Sequence, residues 1–173
     1  MKFSFKEVDA RQPSPIVKLG PTTEDGTYGE AVIQIGGLLE PREFQGTTKD
    51  GKPFKTVHYE LLAIPLEGIY IDAINKEEVV KKDPKSGRVV GKDLIPKTYN
   101  ADELNEIMRK RGNNYVIIRL SLSNYELIKR NMDSGKVNKG DVIKLEYIVR
   151  ANGGVIVNKI LKAEESYNEQ GDA

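Results

Sequence analysis

The chain has 173 residues, no cysteine, no tryptophan and a single histidine, His58. That length suits one domain, and the composition excludes disulfides, thiolate zinc sites, cysteine nucleophiles and any triad or metal site needing a second histidine. With 27 basic and 26 acidic residues the net charge is +1, so any electrostatic footprint must come from how charge is distributed.

The opening MKFSFKEVD lacks the apolar segment of a secretory signal, and no run reaches the roughly 18 apolar residues of a membrane span. An intracellular, cytoplasmic protein is expected. Missing Cys and Trp beside abundant Lys, Glu and Ile fit a thermophilic source. Residues 1–30 read as an irregular arm, because RQPSPIVKLGPTTEDGTYG holds three prolines and three glycines among polar residues. Residues 31–39, AVIQIGGLL, form the first predicted strand, and its interior Gly36 and Gly37 mark a bulge or sharp bend.

A basic loop follows, with Arg42, Lys49, Lys52 and Lys55 interleaved with Phe44 and Phe54. Cations track a phosphate backbone and flat rings stack on unpaired bases, so this composition suits a single-stranded nucleic acid. Within it, residues 46–52 (GTTKDGK) match the first seven positions of a phosphate-binding loop. Pro53 stands where Ser or Thr must hold Mg²⁺, and Asp50-Gly51 reads better as a turn. Residues 56–66 form the second strand. Val57, Tyr59, Leu61 and Ala63 share one face, and His58, Glu60, Leu62 and Ile64 the other. Glu60, Glu67 and Asp72 lie close in sequence, but their spacing follows no metal-binding motif. No metal, cofactor or catalytic activity is expected.

Residues 68–73 suggest a third strand. Val79-Val80 and Val89-Val90 then flank the turn DPKSG, giving a hairpin. Between 76 and 97 stand seven basic and four acidic residues, so this ribbon is basic. Its candidate contacts are Lys81, Lys82, Lys85 and Arg88. Asn100 and Glu103 make a capping box for a helix that ends at Gly112, with Arg109, Lys110 and Arg111 placed to suit its dipole. Residues 115–123, YVIIRLSLS, alternate as a strand, with Tyr115 and Arg119 on the less apolar face as a base platform. Ser123 and Glu126 are expected to open a second short helix. A hairpin over 140–161 turns at Asn152-Gly153-Gly154, and the last eleven residues read as an acidic, disordered tail.

The segment running through Gly37, REF, KDGKPF and HYEL resembles the first two strands and connecting loop of OB-fold single-stranded-DNA-binding proteins of viral or archaeal type. Lys139-Gly140-Asp141-Val142-Ile143 is similar to the entry to a late strand of the same family. The resemblance covers roughly residues 30–162 and implies a five-stranded Greek-key barrel with a helix between its third and fourth strands. The domain would span 31–162, with a long hairpin and helix inserted at 68–113. Overall the fold expected is mainly β with two short helices. The implied function is non-catalytic binding of single-stranded DNA, with RNA as a possible ligand, during replication or repair. Arg42, Phe44, Lys49, Lys52, Phe54, Lys55, Tyr115, Arg119 and the ribbon would form the site. The tail at 163–173 lacks the apolar tip through which the bacterial members recruit partners. Two rival readings are a β-rich viral structural or protein-interaction module, which the balanced charge suits, and a metal-dependent nuclease.

Overall fold

A computed structural model describes residues 13–162. It contains β1 (Ile16–Leu19), β2 (Tyr28–Leu38), β3 (Arg42–Thr47), β4 (Pro53–Glu67), β5 (Ile69–Lys82) and β6 (Val89–Asn100). These are followed by α1 (Ala101–Arg111), β7 (Val116–Leu120), α2 (Leu122–Asp133), β8 (Val142–Val149) and β9 (Val155–Lys162). The protein is therefore mainly β with two helices, as the alternation implied. No described helix is long and apolar enough to cross a membrane.

The strands form one open, mixed sheet in the order β6-β5-β1-β7-β4-β2-β8-β9, with β3 paired to β4 off this path. β2, β4 and β7 lie side by side in chain order, and β8 returns through α2 to the free side of β2. That is a Greek-key arrangement. The expected barrel closure is not formed. Closing the path from β9 to β7 would require those two strands to pair. The second side of β7 is instead taken by β1, which runs parallel to it with Ile16 opposite Ile117 and Val17 opposite Ile118. The exposed edge of β9 is satisfied differently. Asn124 of α2 donates from Nδ2 to Val155 O (2.8 Å) and accepts the Val157 N–H at Oδ1 (3.1 Å). One buried amide thus covers an edge that a strand would otherwise fill.

Several boundaries differ from the sequence reading. The proposed arm supplies β1, whose Val17 and Leu19 enter the core while Lys18 stays exposed. Residues 1–12 and the acidic tail at 163–173 lie outside the described residues. Arg42 and Phe44 belong to a strand rather than a loop. The loop shortens to a turn at 48–52, closed by the Thr48 N–H to Lys52 O and the Gly51 N–H to Thr48 O. This hairpin geometry, with no helix after it, is not that of a phosphate-binding loop. α2 starts earlier than expected: Ser121, not Ser123, is its cap and accepts the Asn124 N–H. The capping box of α1 forms as read, with Asn100 and Glu103 satisfying each other's backbone donors and Gly112 at φ 71° ending the helix.

The core is a single cluster. β2 contributes Ala31, Ile33 and Ile35; β4 Leu61 and Ala63; β7 Val116 and Ile118; β8 Ile143, Leu145 and Tyr147. Leu104 and Met108 of α1 and Ile128 of α2 cover it. Burying each large aliphatic side chain contributes about 1.5–3 kcal/mol. Gly36 and Gly37 do make a bulge, visible as a register shift between Ile35 and Gly37.

Tyr147 is fully buried and donates its hydroxyl to Gly20 O (2.6 Å), while its ring crosses Gly29 on the neighbouring strand. A Cβ at Gly29 would overlap that ring and lie 2.8 Å from Gly20 O. Neither neighbour can yield without breaking the buried hydrogen bond. Gly29→Ala should therefore destabilise the fold by at least about 1 kcal/mol, read from the urea midpoint. An unchanged midpoint would mean that the ring has room to move.

Candidate functional site

The β3–β4 hairpin sets the geometry. Residues directly opposed in an antiparallel ladder share a face. Arg42 opposes His58, Phe44 opposes Thr56, and Gly46 opposes Phe54, with no register shift. Further along β4, Glu60 opposes Arg119 and Leu62 opposes Ile117 of β7. One continuous face therefore carries Phe54, Phe44, Arg42, His58, Glu60 and Arg119. Phe54 and Phe44 are 47% and 43% exposed, an unusual state for phenylalanine. The Phe54 ring lies over Gly46, where a Cβ would meet it at 2.7 Å. The Phe44 and His58 rings sit 4.6 Å apart, tilted by 42°, and the Arg42 guanidinium lies 5.7 Å from the Phe44 centroid.

Glu60 underpins this row. It is only 1% exposed, and its two oxygens are divided between two arginines. Arg42 donates to Oε1 from Nε (3.1 Å) and Nη2 (2.5 Å), and Arg119 donates to Oε2 from Nε (3.4 Å). A buried carboxylate with two cations is fixed in place. It holds both guanidinium groups beside the rings and leaves a surplus positive charge on the face.

His58 is the single histidine of the chain. The fold places it between Phe44 and Arg119, with Nδ1 buried and, among the described residues, without a hydrogen-bond partner. Burial, aided by Arg119 and Arg42 and opposed by Glu60, holds its pKa below the ordinary 6.5. The sign of the pH effect follows. In the unfolded chain His58 protonates near 6.5, and in the folded chain only at lower pH. Its contribution to stability is thus complete above 6.5 and declines as pH falls below it. The wild-type melting temperature should drop more steeply below pH 6.5 than that of His58→Gln. Parallel curves would show that the imidazole does not sense its surroundings.

The other predicted site residues separate. Lys55 neighbours Phe54 in sequence, so it points to the opposite face, where it pairs with Glu43 at 2.5 Å. Lys49 lies in the hairpin turn and Lys52 at its end; among the described residues neither has an acidic partner. Tyr115 lies just before β7 rather than within it, and its ring lies across Gly36, so one side of it is already covered. Lys81, Lys82, Lys85 and Arg88 belong to the β5–β6 ribbon, which β1 and β7 separate from β4. Lys81 there is paired with Asp93 (3.1 Å). The carboxylates weighed for a metal do not converge. Asp72 accepts the N–H groups of Ile74 and Asn75 while Glu60 is held by its arginines. Among the described residues no group of three His, Asp or Glu side chains could hold a metal ion.

Between the end of β7 and the start of β9, which do not pair with each other, a cavity of about 440 Å³ opens. His58 and Arg119 reach it from the ring-bearing face, Lys18 from β1, and Asn152 from the β8–β9 turn. No residue in the sequence signalled it, because it is formed by the missing pairing.

No protein family matches this chain, and neither a curated protein nor a solved structure is significantly similar to it.

Proposed function

We propose that the protein binds single-stranded DNA, without catalysis, on the face shared by β3, β4 and β7. One observation carries the reading: two solvent-exposed phenylalanines and His58 form a row whose flanking arginines are fixed by a buried glutamate. Exposed rings offer stacking surfaces to unpaired bases, and fixed guanidinium groups suit phosphates. Lys49 and Lys52 extend the positive charge to the hairpin tip. The strand order β9-β8-β2-β4-β7, with α2 between the third and fourth strands of that set in chain order, supports an OB-like architecture in opened form. In OB-folds the second and third strands form the nucleic-acid-binding face, and here those positions fall on β4 and β7. Coating of exposed strands in replication or repair follows from such a mode, and RNA would meet the same rings.

The test is a titration of labelled single-stranded and duplex oligonucleotides of one sequence at several salt concentrations. Single strands should bind more tightly, with log K falling linearly in log salt. Equal affinity for the two forms, or no binding at low salt, would refute the proposal.

A second reading, a protein-interaction module, draws on a different observation. The β5–β6 ribbon exposes Val79, Val80, Val89, Val90, Leu94 and Ile95. These aliphatic residues are interspersed with ion pairs such as that of Lys92 with Glu78 (3.4 Å). The oligonucleotide titration separates the two readings.

A further inference from the structure

We propose that the cavity between β1, β7 and the β8–β9 turn receives the terminal phosphate of a nucleic-acid strand, held by Lys18 and Arg119 with His58 beside it.

The choice of a nucleic-acid end rests on the single-strand reading, but the chemistry of the cavity is independent of it. Two cations line the cavity and no carboxylate does. Arg119 spends only Nε on Glu60, and among the described residues its terminal amino groups have no partner. Lys18 is exposed and has no acidic partner among the described residues. Among the described residues the buried Nδ1 of His58 also lacks a partner. The first turn of α2 adjoins the cavity through Ser121 and Asn124 and carries no acidic side chain, so the positive end of its dipole is unopposed. Leu19, Leu120 and Val155 supply an apolar floor.

The charge of the cavity favours an end over a passing backbone. A strand stacked along Phe54, Phe44 and His58 would reach the cavity at Arg119. Asn152, Gly153 and Gly154 of the β8–β9 turn also line the cavity. A phosphodiester carries one negative charge, whereas a terminal monoester approaches two near neutral pH, matching the two cations. A bound dianion also favours the protonated imidazole, against the pull of Arg119 and Arg42 and with that of Glu60.

The single histidine makes the experiment direct, because the full-length protein has one imidazole to observe by NMR. Four probes are added in turn: inorganic phosphate, a nucleoside monophosphate, and one oligonucleotide with either a phosphorylated or a hydroxyl end. The expected result is a rise in the His58 titration midpoint with the phosphorylated strand, together with about tenfold tighter binding than the hydroxyl-ended strand. Lys18→Ala should remove that preference and leave the hydroxyl-ended strand bound as before. A response to inorganic phosphate equal to that of the phosphorylated strand would overturn the strand-end assignment in favour of free phosphate. If both strands bind equally and His58 does not respond, the cavity proposal fails while the ring-face reading survives. If the monophosphate shifts His58 and Lys18→Ala abolishes the shift, yet the hydroxyl-ended strand does not bind, the phosphate pocket stands and the ring-face reading fails.

Discussion

Phe44→Ala should weaken single-strand binding by about 1–3 kcal/mol while scarcely changing the melting temperature. The ring is 43% exposed and lies outside the core cluster, so truncating it leaves the core packing in place. What it loses is a stacking surface braced by His58 and by the Arg42 guanidinium. The salt dependence should hold steady, because no phosphate contact is removed. Lys52→Ala supplies the contrast. It should flatten the plot of log affinity against log salt by roughly 0.7 if Lys52 neutralises one phosphate of a single strand. Phe54→Ala should act on both properties, since its ring also shields Gly46. If Phe44→Ala melts earlier and binds as before, the ring is a clasp for His58, and the binding face lies elsewhere.

Removing both arginines that meet Glu60 should be the most destabilising change on this face. The double variant Arg42→Ala/Arg119→Ala leaves a carboxylate that is 1% exposed with no cation beside it, a loss of about 3–5 kcal/mol. Each single variant leaves one partner in place and should cost much less, so the two effects will not add. Adding Glu60→Leu to the double variant should recover most of the stability, because it removes the stranded charge while keeping the volume. Urea denaturation of the wild type, the two single variants, the double variant and the triple variant measures both the coupling and the recovery. Additive single effects with no recovery would show that Glu60 is solvated rather than clamped.

Much of this site was legible one strand at a time. The alternation of β4 and β7 put Glu60 and Arg119 on the faces they occupy, and the interleaving of Phe44 and Phe54 with cations marked the hairpin. Lys55 could have been sorted from the same rule, because the neighbour of Phe54 in a strand must face the other way. The role of Glu60 could not be read. A charge on a strand is ordinarily solvated, and the pairings with Arg42 and Arg119 span 18 and 59 residues. The start of α2 was ambiguous locally, since Ser121 and Ser123 are equally good caps. β1 escaped because four residues between prolines and glycines carry too little periodicity to register. That omission also hid the open sheet, as β1 occupies the side of β7 that closure requires.

The position of β1 shapes how the protein can assemble. Among the described elements it leaves the ribosome first, yet its partners are residues 70–72 and 117–118. Val17 meets its antiparallel partner Asp72 only 55 residues later and its parallel partner Ile118 only 101 residues later. Parallel pairing across such a sequence separation is intrinsically slow. The ribbon β5–β6 and the Greek-key strands can each form from nearer neighbours, and β1 then joins them as the strand that links two preformed parts. Until it does, both the β5 and β7 edges are open to another chain. The hazard in making this protein thus lies in that interval, and shortening the wait, by circular permutation that places β1 after β7, should raise the yield of folded protein at high expression.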